Sequence, residues 1–233
     1  MNELYNLYWR LNSYYYTYRR QRQLTHCRQQ PPLFEIKWID PKEVDEFTRR
    51  PVPFWRRKWQ DHGQVKDGDW DICDDHTFEH GYDEDWYRTQ RPTVRYEDAI
   101  FHQSMIERYV EDRPWKETEQ FDISRQRIAT GESTWHGCES ISDLREKGDI
   151  IDKLFNKIAT QGYKSQPGLQ RTFKNTIKNE ITVDIGRDGS FLFVDGRHRL
   201  SIAKVLGLDQ IPVQVCTVHQ TYDDRTNSNN KAD

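Results

Sequence analysis

The chain has 233 residues, enough for one large domain or for a domain with a sizeable insertion. Hydrophobic residues make up 34% and charged residues 31%, so the apolar core must be small for this length, and eight Trp, twelve Tyr and ten Phe help to fill it. The net charge of −3 argues against a surface covered in phosphate contacts, although it leaves room for a local basic patch.

The cysteines and the apolar runs indicate the compartment. Cys27, Cys73, Cys138 and Cys216 are widely spaced and form no Cys-x-x-Cys pair. Scattered thiols of this kind are typical of a reducing cytoplasm, so we expect a cytoplasmic protein. No apolar run approaches the roughly 20 residues that a transmembrane helix needs, so we expect no membrane-spanning segment.

The first predicted element is an aromatic and basic helix over residues 1–30. Its apolar positions follow helical spacing, and arginines cluster near its end. Two interpretations remain: the helix docks on the body of the protein, or it binds a partner or a membrane surface. Pro31 and Pro32 end it, and residues 33–44 then predict a short strand followed by a turn at Asp40-Pro41.

Two blocks of opposite charge follow this strand. Residues from Arg49 to Lys58 are basic and aromatic, and residues 61–85 are strongly acidic. The basic block either packs through ion pairs and cation–π contacts or stacks on the bases of DNA, and we favour the packing role. In the acidic block, Cys73, His76 and His80 have a spacing that zinc ligands use, and the carboxylates of 67–85 offer calcium ligands. Surface histidines and a buried thiol fit this block better than either metal.

The second half of the chain carries the clearer periodicity. Helices are predicted over 96–112, 119–130 and 149–163, the last with Gly162 as its C-terminal signal. A β-hairpin is predicted around Arg187-Asp188-Gly189, then a helix over 197–206 and a strand at 211–219. Residues 220–233 are polar and predicted to be disordered.

The strand-to-helix junction at residues 195–199, Asp-Gly-Arg-His-Arg, is the most informative motif. A helix N-terminus has backbone N–H groups without intrahelical acceptors and carries about half a positive charge. Gly196 permits a tight turn, Arg197 and Arg199 suit phosphate oxygens, and His198 exchanges a proton near neutral pH. The motif therefore predicts a phosphate-binding corner. The alternative is a structural network in which Asp195 accepts from the arginines and ties the helix to the sheet.

The stretch "VDGRHRLSIAKVLGLDQIPVQV" resembles the core motif of the ParB/sulfiredoxin superfamily, in which a strand enters a Gly-x-x-Arg turn, a helix ends in Leu-Gly and an Ile-Pro-Val strand follows. The resemblance covers residues 33–44 and 141–219 and treats 45–140 as an insertion. It implies an α+β fold: a small mixed sheet with flanking helices, a mainly helical, loop-rich insertion and the N-terminal helix.

This resemblance also implies a nucleotide site. Gly196, His198 and Arg199 take the phosphate-contacting positions of the family, and Asp195 resembles the acidic residue of its kinase-like members. Sulfiredoxins place their catalytic cysteine where this chain has Arg197, so we do not expect sulfinic acid reduction. About 14 residues follow His219, so we expect no helix-turn-helix module like that of partitioning proteins. The Asp-Gly-x-His-Arg form is closest to the free-serine-kinase-like branch.

We therefore expect a nucleotide-dependent phosphotransferase or a nucleotide triphosphatase. It would use ATP or another nucleotide with Mg²⁺, and an unidentified small-molecule acceptor. Asp195, His198 and Glu43 are the catalytic candidates, and Asp195 is the Mg²⁺ candidate; Glu43 follows the first strand, which the fold places near the motif. The alternatives are a ParB-like DNA-binding or nuclease protein that uses residues 49–58, and a non-catalytic partner-binding module. The sequence does not fix the oligomeric state.

Overall fold

The computed structural model describes residues 36–49, 64–72, 95–135, 137–165 and 180–222. The strands in these ranges are β1 (Ile36–Ile39), β2 (Glu46–Phe47), β3 (Gln64–Lys66), β4 (Ile181–Ile185), β5 (Phe191–Asp195) and β6 (Ile211–His219). The helices are α1 (Ile100–Tyr109), α2 (Glu119–Ala129), α3 (Ile141–Gln161) and α4 (Arg197–Val205). None of the helices described is both long and apolar enough to cross a membrane.

Several predicted features lie outside the described residues. They are the helix over 1–30, the basic block from residue 50 onward, the zinc candidates Cys73, His76 and His80, and the tail from residue 223.

The strands form one mixed sheet in the order β1-β6-β4-β5-β2, and β3 also pairs with β6. Strand β6 is buried along its whole length. It runs parallel to β4, and its other side pairs with β1 and, further along, with β3. Strand β5 is antiparallel to β4 and parallel to β2. A mixed sheet flanked by helices confirms the predicted α+β class.

The hairpin between β4 and β5 forms where turn residues interrupt two apolar runs. Gly189 has a φ of 88°, in the left-handed region that glycine adopts most readily. The turn closes with a hydrogen bond from the Gly186 amide to the Ser190 carbonyl at 3.0 Å. The Ser190 amide donates to Asp188 Oδ1 at 2.9 Å. The predicted hairpin is therefore confirmed.

The helices agree with prediction in type and differ in extent. Helix α2 matches the prediction closely, whereas α1 is preceded by a separate 3₁₀ turn, Tyr96–Asp98. Helix α3 begins eight residues before the predicted start at 149, because Ser140 and Asp143 form a capping box around its first turn. Gly148 weakens the helical pattern there, but Trp115 packs against it, and a Cβ at Gly148 would lie 2.7 Å from Trp115 Cδ1. Packing against Trp115 therefore keeps the chain helical at Gly148, although glycine has a low helix propensity.

Two apolar clusters hold these elements together. In the first, Phe101 of α1 and Leu200 of α4 pack on β4 and β6. The second lies between α1, α2 and α3; its buried members are Met105, Trp115, Phe121, Trp135, Cys138, Leu144 and Ile151. The segment 45–140, which the resemblance treats as an insertion, supplies β2 and β3 to the sheet, and Phe47 and Tyr96 to the first cluster.

Candidate functional site

The corner between β5 and α4 needs glycine at its centre. Gly196 is the N-cap of α4 and has φ 97° and ψ 26°, in the left-handed region. A Cβ at this position would lie 3.0 Å from the Ile181 Cα atom, so the corner sits directly against β4. Asp195 is exposed, and its Oδ1 accepts from the Gly196 amide at 2.7 Å. The backbone of the corner is therefore held close to the sheet, with a carboxylate at its entrance.

Arg197 points into the protein. Its side chain is buried, and its guanidinium carbon lies 5.1 Å from the centre of the Phe101 ring. Its carbonyl oxygen accepts from the Tyr96 hydroxyl at 2.9 Å. Burial raises the pKa of Tyr96 far above its ordinary value, so this hydroxyl stays protonated and able to donate. Arg197 thus ties α4 to the core through Phe101 and Tyr96, and we leave it out of the phosphate contacts proposed below.

Arg199 faces a buried carboxylate. Its Nη1 lies 3.4 Å from Oε1 of Glu180, which is fully buried just before β4, while 17% of the Arg199 side chain is exposed. The Tyr163 hydroxyl donates to the same oxygen at 3.0 Å. Burial raises the pKa of Tyr163, which keeps this hydroxyl protonated. Glu180 and Tyr163 therefore hold the guanidinium of Arg199, and His198, the preceding residue, is half-buried.

Sequence reasoning missed Glu180 and Tyr163. A glutamate at the start of the apolar run "EITVDI" was a usable signal, because an acid entering a buried strand needs a partner. No comparable signal marks Tyr163, which follows the glycine at the end of α3.

A cleft opens beside Arg199, at the C-terminal end of α3. It encloses about 350 Å³, part of it open to solvent. Its lining combines apolar and cationic groups: Leu154, Lys157, Ile158, Gln161, Gly162, Tyr163, Lys164 and Arg199. Arg199 is the lining residue that belongs to the predicted corner.

Glu43 ends the 3₁₀ turn Pro41–Glu43, which follows β1 and packs against α4. Asp40 caps this turn by accepting from the Lys42 amide at 2.9 Å, and Glu43 itself is exposed. Burial lowers the pKa of Lys204 in α4, and this effect outweighs the nearby negative charges of Asp40 and Asp45, which act to raise it. The turn therefore packs against α4, with its charges facing Lys204 in the last turn of that helix, and a position of Glu43 near the motif at residues 195–199 stays a prediction.

The predicted metal sites differ in what the structure says of them. Among the described residues, no group of three or more His, Cys, Asp and Glu side chains is placed to hold a metal ion. Mg²⁺ bound with a nucleotide needs only one or two protein carboxylates, because phosphate oxygens and water complete its shell. The exposed Asp195 fits that limited role. In the acidic segment, Asp69 and Asp71 bind Arg187, with oxygen–nitrogen distances of 2.8 Å.

One residue of the basic block is described, and it is engaged within the protein. Arg49 Nη2 lies 3.1 Å from Glu46 Oε2, and Arg49 Nη1 donates to the Ile72 carbonyl at 2.8 Å. These contacts agree with the packing role that the sequence favoured for this block.

Comparison of the chain with models of protein families, with curated proteins and with solved structures found no match. Membership of the ParB/sulfiredoxin superfamily therefore stays a prediction from the motif. The structure shows an α+β fold in which a hairpin, a glycine corner, a helix and a buried strand follow one another between residues 181 and 219.

Proposed function

We propose that this protein binds nucleotide phosphates at the β5–α4 corner and either transfers a phosphoryl group to a small-molecule acceptor or hydrolyses the nucleotide. The observation that carries the proposal is the pairing of Gly196, left-handed at the start of α4, with the partly exposed guanidinium of Arg199. A helix N-terminus offers amide donors and a positive pole to an anion, and a guanidinium adds charge-assisted hydrogen bonds.

Each residue of the corner has a role in this proposal. Gly196 lets a phosphate approach the backbone, Arg199 binds its oxygens, and His198 donates a hydrogen bond or a proton. Asp195 stands at the entrance as the Mg²⁺ ligand; Mg²⁺, when bound, neutralises charge on the phosphate oxygens. Glu43, on the turn packed against α4, is the candidate base that orients the attacking hydroxyl.

A non-catalytic module is the competing interpretation. It is favoured by Arg197, because the contacts of this residue with Phe101 and Tyr96 hold α4 in place without any ligand. Under that interpretation the corner stabilises the fold and binds no nucleotide. The DNA-binding alternative has no such support among the described residues, where Arg49 is engaged with Glu46 and Ile72.

Calorimetric titration with ATP, ADP and CTP in the presence of Mg²⁺ tests the proposal. We expect Arg199→Ala and His198→Ala each to weaken binding about tenfold or more, because each removes a hydrogen bond to a charged phosphate. Arg145→Ala is the matched control: Arg145 is exposed on the first half of α3, and its loss should leave binding unchanged.

Unfolding midpoints must show that every variant is folded. The proposal fails if no nucleotide binds the folded wild-type protein at about millimolar concentration. If nucleotide binds, release of inorganic phosphate in Asp195→Asn and Glu43→Gln measures whether turnover needs these carboxylates.

A further inference from the structure

The cleft at the end of α3 is open to solvent and has the composition of a small-molecule site, an apolar wall with a few charged groups. Leu154 and Ile158, one turn apart on α3, supply an apolar wall, and the ring of Tyr163 adds to it. The corner residues Gly196 and His198 are not among its lining residues, so the cleft is a separate space that shares Arg199 with the corner.

The charges around the cleft favour an anion. Lys157, Lys164 and Arg199 line it, and Glu180 is the carboxylate that contacts Arg199 from the buried side. Cations commonly gather at a helix C-terminus, where the helix contributes about half a negative charge. Among the described residues at the cleft, that half charge and one carboxylate do not balance three cations, so this part of the lining carries a positive excess. Stabilising the end of α3 therefore does not account for all of this charge.

Arg199 keeps hydrogen-bond donors for a ligand. A guanidinium has five N–H donors. In the described part of the chain, the one hydrogen bond from the Arg199 guanidinium to a carboxylate is the 3.4 Å contact of Nη1 with Glu180, which is long for a charge-assisted bond. Because Tyr163 donates to the same oxygen, that oxygen is shared between two donors. The buried pair positions the guanidinium while the rest of it lines the cleft.

We propose that this cleft binds a small organic anion, a carboxylate or a phosphate ester with a short apolar body. The anionic group bonds to Arg199 between Lys157 and Lys164, and the apolar body lies on Leu154 and Ile158. The site does not require nucleotide binding at the corner.

Binding of benzoate, phenyl phosphate and benzamide to the full chain, measured by ligand-observed NMR, tests the proposal. Benzamide has the shape of benzoate without its charge. We expect both anions to bind about tenfold more tightly than benzamide, because only they form charge-assisted bonds with the guanidinium. The tighter of the two anions identifies the group that the site prefers. Equal binding of benzoate and benzamide, or no binding of either anion at about 10 mM, overturns the proposal.

Variants assign the binding to the cleft. Leu154→Trp fills the apolar wall and should abolish benzoate binding, and Arg199→Gln should weaken it about tenfold. Lys153→Gln is the control, since Lys153 is exposed on α3 and outside the lining. Benzoate binding that survives Leu154→Trp, or is lost equally in Lys153→Gln, overturns the assignment.

The same variants separate this proposal from nucleotide binding. Leu154→Trp should leave Mg-ATP binding unchanged, and His198→Ala should leave benzoate binding unchanged. A protein that binds benzoate in this pattern and no nucleotide supports the cleft and refutes the phosphate corner. The opposite pattern supports the corner and refutes the cleft.

Discussion

Two clusters in this protein use the same three groups, an arginine, a carboxylate and a tyrosine hydroxyl, with different results. At the contact of α1 with α3, Asp152 accepts from Arg108 Nη2 at 2.9 Å, from the Tyr109 hydroxyl at 2.8 Å and from Trp115 Nε1 at 2.9 Å. At the cleft, Glu180 Oε1 accepts from Tyr163 at 3.0 Å and from Arg199 at 3.4 Å.

The two clusters differ in how many nitrogens of the guanidinium face an acceptor. Arg108 also donates from Nε to Asp152 at 3.3 Å, and its Nη1 lies 3.5 Å from the Arg113 carbonyl, so all three of its nitrogens face acceptors. Arg199 faces its carboxylate with one nitrogen, interacts with the Tyr163 side chain and lines the cleft. A guanidinium with an acceptor at each of its three nitrogens has less capacity left to bind a ligand than one that faces a carboxylate with a single nitrogen next to a cleft.

The largest expected effect is on stability at the cluster of Arg108 and Asp152. Asp152→Asn removes the charge that donors from three side chains converge on, and the new amide turns one acceptor into a donor facing them. We expect the free energy of unfolding to fall by about 3 kcal/mol, measured by urea denaturation. Asp149→Asn, an exposed change on the same helix, is the control and should have almost no effect. A loss below about 1 kcal/mol for Asp152→Asn would break the distinction between the clusters.

The same carboxylate predicts a dependence on pH. Burial alone would raise the pKa of Asp152, but hydrogen bonds from Arg108, Tyr109 and Trp115 outweigh burial and hold this pKa below its ordinary value of 3.8. The stability from this cluster is therefore fully present above the unfolded pKa and is lost as the pH falls through the lower folded value. We expect the stability difference between wild type and Asp152→Asn to be constant from neutral pH to about 5 and to shrink in stronger acid. A difference that grew on acidification would contradict this sign.

A larger side chain should be tolerated less well at Gly148, beside Trp115, than at Leu154 in the cleft. Gly148→Ala puts a methyl group 2.7 Å from Trp115 Cδ1, whose ring is held by its bond to Asp152. Overpacking of this kind destabilises by about 2 kcal/mol, and the helix propensity of alanine offsets about 1 kcal/mol, so we expect a net loss near 1 kcal/mol. Leu154→Trp adds far more volume but into the cleft, and should change stability by about 0.5 kcal/mol or less. Thermal or urea unfolding of both variants measures the contrast.

A small effect on stability is also expected for the carboxylate beside the cleft. Glu180→Gln keeps an oxygen for Tyr163 and Arg199 and removes a buried charge, so we expect a loss of about 1 kcal/mol or less by urea denaturation. Benzoate should bind about threefold more tightly to this variant, because a negative charge near the anion has gone. If Glu180→Gln instead destabilises as strongly as Asp152→Asn, the two clusters are both structural and the comparison fails.

Local patterns determined much of the fold in advance. The hairpin at residues 187–189, helix α4 and strand β6 all appear where turn residues and apolar periodicity predict them. The need for glycine at 196 also follows from the strand-to-helix junction. These features are encoded by residues close together in the chain, which is why a single sequence contains them.

Only the tertiary structure decided which charged groups meet. Tyr163 and Arg199 are 17 and 19 residues from Glu180, and Arg108 is 44 residues from Asp152. The sequence offered Arg197 and Arg199 as equivalent ligands, yet packing on Phe101 buries Arg197 and the cleft leaves Arg199 partly exposed. Periodicity specifies the face on which a side chain lies, but the partner it finds there depends on long-range packing, and that packing separates an arginine buried against Phe101 from one that lines the cleft.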